Sequence, residues 1–348
     1  MSQEPPPPEQ PRSVFDSSLQ VAVVASIALI AVAILGGLGA SRLGARPTPS
    51  PLPSPTPFVR VSPTEAPDTG PLVFTQPLSA GCAAGDAVYV VSDGGAIGRF
   101  ALDRWQLIDP IARSLSAAEC QGDQLIAVGG GGRVITIDDR QQTIRSDAVQ
   151  LDDLLGVAPL ADGVLVVGRA GTVQRQGGGG WGVYASGIDE DLYGVAAFGP
   201  ASAWAVGASG VTYRLEPAGW RPVATGVTGT LRAIAAKAVD DAVVVGDDAV
   251  ILMWSDGWKR IGSPVQTNFR AALRVDDGTY LAGDQGTLLR LSGGPASPVF
   301  SQFDLGTTCT LRAIFGRGTE IWVIGSDGGR AAVWRLGPSG TFHWGQCP

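Results

Sequence analysis

Residues Leu192–Trp220 read LYGVAAFGPASAWAVGASGVTYRLEPAGW. A short apolar run leads into a Gly-Pro turn, and then a β-branched and aromatic run closes on Gly207. Three positions later comes a second small residue, Gly210, followed by the alternating run VTYRL and a turn into Trp220. Runs of this length with alternating character, punctuated by Gly and Pro, read as antiparallel strands joined by tight turns. The Gly-x-x-Gly spacing suits a hairpin, because Gly takes up positive φ without Cβ strain.

Working outward, the same unit recurs seven times, with starts at Leu78, Leu115, Leu155, Leu192, Leu231, Phe269 and Leu311, spaced by 37 to 42 residues. The closing residues are Ser92, Gly129, Gly168, Gly207, Gly246, Gly283 and Gly325, and the second small residues are Gly95, Gly132, Gly171, Gly210, Ala249, Gly286 and Gly328. Most units carry an aromatic residue on a fourth run: Trp105, Trp181, Trp220, Trp258, Phe300 and Trp344. Seven copies of four strands without a helix-period segment predict an all-β fold over residues 71–348, a seven-bladed β-propeller of four-stranded antiparallel blades whose first strands line a central channel. The competing β-solenoid uses shorter coils, of about 20 to 30 residues. Residues Leu72–Gln76 (LVFTQ) are expected to close the ring as an extra outer strand beside the last blade.

Ahead of this domain, residues 1–18 form a Pro-rich, acidic tail. Val21–Ala40 holds no charged residue. At about 1.5 Å per residue it is long enough for a transmembrane helix, assigned to 19–40. Residues 41–70 are a Pro/Ser/Thr-rich linker, extended enough to act as a stalk. Arg42 and Arg46 follow the helix and only Arg12 precedes it, which by itself places the propeller in the cytoplasm. The stalk composition and four cysteines favour the opposite, extracytoplasmic face of the cell membrane. Three pairings of Cys82, Cys120, Cys309 and Cys347 are open; the favoured one joins Cys82 to Cys120 and Cys309 to Cys347.

The net charge of −7 argues against nucleic acid, whose phosphates need a basic face. With one histidine, His343, zinc and Ser-His-Asp chemistry lack their ligands and base. The glycine runs Gly129–Gly132 and Gly177–Gly180 lack the Lys-Ser/Thr of a phosphate loop and read as turns. Acidic clusters at Asp152-Asp153, Asp189-Glu190-Asp191 and Asp247-Asp248 have no EF-hand spacing and read as solvated loops. No metal and no cofactor is expected.

Two arginine sets recur between blades. Arg99, Arg175, Arg214 and Arg290 each fall seven residues after a closing residue, on third strands, and suggest a structural pairing with a turn. Arg232, Arg270 and Arg312 are the second residues of the first strands in three consecutive blades, where the other blades carry Ser79, Ser116, Gly156 and Tyr193. They are the candidate partner-binding residues, a basic sector at one channel mouth able to grip carboxylates. The bland reading of the same set is three separate ion pairs between blades.

The string VGxxGxxxRxxxxGW, present at Val206–Trp220, resembles the repeat of the photosystem II assembly and stability factor-like propellers, a family related to the BNR or Asp-box repeats of sialidases. The resemblance covers all seven units in degenerate form; the Asp-box turn survives best at Ser255-Asp256-Gly257-Trp258 and has decayed to GGGGW or LDRW elsewhere. It implies a non-enzymatic scaffold or assembly role beside a membrane complex, with a protein partner or acidic segment. The alternatives are a surface receptor or adhesin for carbohydrate or peptide, and a sialidase-like glycan hydrolase. The last needs a Tyr/Glu pair beside channel arginines, and none of Glu119, Glu190, Glu216 and Glu320 has an obvious Tyr partner in the sequence.

Overall fold

The computed structural model describes residues 60–61 and 75–347, apart from 109–113, 141–142, 149–151, 179, 185 and 277. The segment expected to span a membrane, the tail and most of the expected linker lie outside the described residues, within which no helix is long and apolar enough to cross a membrane. Seven sheets succeed one another along the chain, each with its four strands in sequence order. Blade 1 runs Leu78–Ile108, blade 2 Leu115–Ala148, blade 3 Leu154–Val183, blade 4 Leu192–Pro222, blade 5 Leu231–Arg260, blade 6 Phe269–Phe303 and blade 7 Thr310–Gly345. Each first strand packs against the first strand of the next blade, and that of blade 7 against that of blade 1, so the ring closes around a channel.

The second strands explain why the sequence builds blades. In blade 1, Ala87–Ser92 (AVYVVS) is buried at every position. Successive side chains point to opposite faces of a strand, so Val88 and Val90 pack towards blade 7 while Tyr89 and Val91 pack towards blade 2. Buried hydrophobic residues accordingly gather into one cluster at each of the seven blade interfaces. A strand covered on both faces must be apolar throughout, which is why these runs do not alternate.

The hairpins between second and third strands behave as the spacing predicts. Every second small residue has positive φ, from 53° at Gly328 to 86° at Gly95, and this includes Ala249 at 56°. Gly171 shows why glycine is needed: with φ at +62°, a Cβ there would stand 1.6 Å from the Ile188 carbonyl oxygen. That close approach belongs to the connection into the next blade, which lies over the hairpin; Gly171 N–H donates to Glu190 O at 3.0 Å, and Gly286 N–H to Cys309 O at 2.8 Å. The acidic residues read as solvated are engaged in the same device. Asp153 accepts from Gly131 N–H and Asp191 from Ala170 N–H, each at 2.9 Å, while Arg169 pairs with both carboxylates.

Two expectations need correction. Blade 3 begins at Leu154, one residue earlier than the pattern suggested, because Leu154 and not Leu155 pairs with the closing Gly168. Arg60–Val61, assigned to the linker, pairs in parallel with Gln302–Phe303 as a fifth strand of blade 6. The last blade draws all four of its strands from Thr310–Gly345, and most of the LVFTQ segment expected beside it (72–74) lies outside the described residues.

The seam between blades 7 and 1 is held by side chains. Ser326 Oγ donates to Leu78 O at 3.2 Å, Arg317 Nη2 to Asp86 O at 2.8 Å, and Phe100, Phe315, Trp322 and Trp344 fill the interface. The favoured cysteine pairing is present. Cys82–Cys120 ties the first strands of blades 1 and 2, and Cys309–Cys347 pins the end of the chain to the entry of blade 7.

Candidate functional site

Every first strand carries a β-bulge at the residue that follows the partner of its blade's closing residue. In blade 5, Leu231 pairs with Gly246 and Ala233 with Val245, leaving Arg232 as the extra residue; the same shift leaves out Arg270 in blade 6 and Arg312 in blade 7. A bulge locally redirects the side chain of the residue left out of the ladder. Seven bulges thus present Ser79, Ser116, Leu155, Tyr193, Arg232, Arg270 and Arg312 to one cavity of about 400 Å³ at a channel mouth. Blade 3 contributes Leu155 at this register and not Gly156, a consequence of its earlier start.

The expected arginine sector is therefore assembled, but it is not bare positive charge. Arg232 donates through Nε and Nη2 to Asp247 at 3.0 and 2.7 Å. Arg270 does the same to Asp284, at 2.8 Å for both bonds, and its Nη1 lies 3.9 Å from Asp247. These acids immediately follow the closing glycines of blades 5 and 6, so two of the three pairs form within a blade. Side-on bidentate pairing fixes a guanidinium in orientation as well as charge. Arg270 holds the Asp284 carboxyl below its ordinary value, chiefly by these hydrogen bonds. Under Arg232 lies the ring of Tyr193, its centroid 5.2 Å from Cζ, a cation–π geometry.

Arg312 differs. The equivalent acid position of its own blade is Ser326, which bonds Leu78 across the seam, and its nearest carboxylate is Asp93 of blade 1 at 3.8 Å. Arg312 is also the more open, at 41% exposure against 30% for each of the other two. Burial raises the Asp93 carboxyl above its ordinary value, with Arg312 acting in the opposite sense.

The third-strand arginines do structural work. Arg99 pairs with Asp139 of blade 2 at 2.6 and 2.9 Å, and Tyr89 O–H donates to the same carboxylate. Arg175 pairs with Asp162 at 2.7 Å within its own blade, and Arg214 lies over the rings of Trp204 and Trp254. Blade 7 adds Arg335, opposite Trp322 just as Arg214 is opposite Trp204, and placed over the Phe342 ring at 4.4 Å. The seven-residue count passed over it because the blade 7 hairpin is three residues longer.

One pair absent from the sequence reading does form: Tyr213 O–H donates to Glu190 at 3.0 Å, and burial together with that carboxylate pushes the phenol up to about 12. Glu190 lies in the connection into blade 4 and Tyr213 on its third strand, whereas Arg232, Arg270 and Arg312 project from the first strands of blades 5 to 7. The pair belongs to the blade body and not to the channel cavity. His343 stands on the outer strand of blade 7, and among the described residues no group of three or more His, Cys, Asp or Glu is placed to hold a metal ion.

No protein-family model matches the chain, and no curated protein matches it in sequence. Solved structures match in shape. YCF48 from Cyanidioschyzon merolae is 14% identical, with a TM-score of 0.61 over 77% of this chain and 98% of that one. YCF48 bound to D1 peptide is 14% identical, with a TM-score of 0.61 over 74% and 93%. The RRP9 WD40 repeats are 10% identical, with a TM-score of 0.62 over 71% and 87%. At these identities the likeness establishes a β-propeller and leaves the chemistry to be argued from the side chains.

Proposed function

We propose that this chain is a membrane-anchored, non-enzymatic assembly propeller that holds a protein partner by an acidic segment at the arginine-bearing mouth. The observation that carries the reading is Arg312, which lacks the own-blade aspartate that occupies Arg232 and Arg270 and stands open beside them. A carboxylate arriving there meets one guanidinium without a close partner and two already oriented. The neighbour YCF48 bound to D1 peptide supports the same reading by analogy, as does the resemblance of the repeat to photosystem II assembly factors.

With full-length protein in detergent micelles and a fluorescent acetyl-hexaglutamate amide as probe, Arg312→Ala weakens binding about tenfold, roughly 1.4 kcal/mol. Anisotropy titration checks this, and thermal unfolding verifies that the fold is kept. Equal affinity in the variant, or equally tight binding of a hexalysine control, overturns the reading. The same substitution abolishes recovery of a stoichiometric partner from solubilised membranes.

The anchor in this proposal is Val21–Ala40, and the two disulfides favour the outer face. Protease added to intact cells then digests the propeller. Complete protection reverses the orientation.

A further inference from the structure

The channel has a second cavity, of about 490 Å³, at the opposite mouth. Seven side chains line both cavities and so form the waist between them: Val157, Val195, Ile234, Ala272, Ile314 and Phe315, and, from blade 2, Glu119. Six are apolar and one is a carboxylate. Glu119 is the sole acidic residue on the seven first strands, which otherwise carry arginines, a lysine and neutral residues. At its register the other blades place Cys82, Ala158, Ala196, Ala235, Leu273 and Phe315, so the fold itself asks for no charge there.

No hydrogen bond or ion pair to Glu119 is found among the described residues. The arginines of the first mouth are held by or near Asp247, Asp284 and Asp93. Towards the second mouth Arg274 is held by Asp241 at 2.6 Å. The Glu119 side chain is exposed to the channel, while the ring of blades encloses the channel at this depth, and that enclosure raises its carboxyl above its ordinary value. An ionised carboxylate inside an apolar girdle costs free energy until a counter-ion reaches it.

We propose that the channel waist is a binding site for an aliphatic ammonium group, such as the side chain of a partner's lysine, with Glu119 as its counter-ion and the apolar girdle around its methylene stem. Long cationic side chains bury their stems along apolar surface while the head seeks a charged or wet partner. Here the carboxylate and the apolar girdle line the same two cavities. Entry is from the second mouth, whose rim includes Ala83, Pro159, Phe198, Ala236 and Gly316. The waist adjoins the arginine-mouth cavity, but its counter-ion is Glu119 and not Arg312, so substitutions at the two residues let either proposal fail without the other.

The probe is n-butylammonium chloride added to the full-length protein in micelles and followed by the Glu119 carboxyl carbon resonance. Saturable binding is expected, with the midpoint of the Glu119 titration moving to lower pH as the ligand is added, because the ammonium favours the ionised form. Butanol, which keeps the stem and lacks the charge, does not bind. Glu119→Gln, nearly isosteric, weakens butylammonium at least tenfold while leaving the hexaglutamate probe unaffected. Equal butylammonium affinity in wild type and Glu119→Gln, or a Glu119 midpoint that the ligand does not move, overturns the proposal.

Discussion

Trp322→Ala is expected to lower the stability of the propeller by about 3 to 5 kcal/mol, the range for removing a buried tryptophan, and to concentrate the damage at the junction of blades 7 and 1. Trp322 is fully buried, stacked on Trp344 at 5.4 Å, and 5.6 Å from Phe100 of blade 1. Among the described residues no strand is shared between the two blades of the seam, and this aromatic cluster and a few hydrogen bonds resist opening of the ring. The control is Trp204→Ala in blade 4, which removes an equally buried ring at the same register, there bonded to Val239 O at 2.8 Å. Both variants lose comparable denaturant stability. Amide exchange distinguishes them: Trp322→Ala speeds exchange in blades 1 and 7, whereas Trp204→Ala speeds it in blades 4 and 5. Uniform acceleration around the ring in both variants contradicts a seam held by packing.

What the chain discloses before folding follows from which constraints are local. Hairpin turns are local, and six of the seven second small residues, all at positive φ, are Gly, so the seven units could be counted directly. Where two leucines adjoin, at Leu154 and Leu155, the apolar pattern does not say which begins the blade; the pairing with Gly168 decides it. A bulge leaves no apolar signature, so the arginines were seen to recur without the reason that they face the channel together. Their counter-ions were within reach. Asp247 and Asp284 follow the closing glycines in the two blades whose arginines they bind, and blade 7 has Ser326 instead. Glu119 was visible only as a scarce residue type. Its isolation is a property of the ring, because it depends on what the other six blades place at the same level.

Reduction of the two disulfides is the second large effect. Each closes a loop with a sequence separation of 38. In the chain-entropy account that constrains the unfolded ensemble by about 4 kcal/mol per bridge. The two loops share no residue and lie at opposite ends of the domain sequence, so their contributions should add. A total near 8 kcal/mol is comparable with the whole stability of an ordinary domain, about 5 to 15 kcal/mol. The reduced propeller is therefore marginal and the oxidised one is not. Neither bridge crosses the seam: one braces blade 1 against blade 2, and the other braces the end of blade 7 against its own entry. Reduction thus frees both terminal blades at once and leaves the ring to close through the aromatic cluster and the Ser326 and Arg317 hydrogen bonds. Urea unfolding with and without dithiothreitol measures the loss, and the paired variants Cys82→Ala with Cys120→Ala, and Cys309→Ala with Cys347→Ala, divide it between the bridges. A reduced protein whose midpoint falls by less than a quarter of the oxidised value would show that packing between blades, and not the cross-links, holds the termini in place.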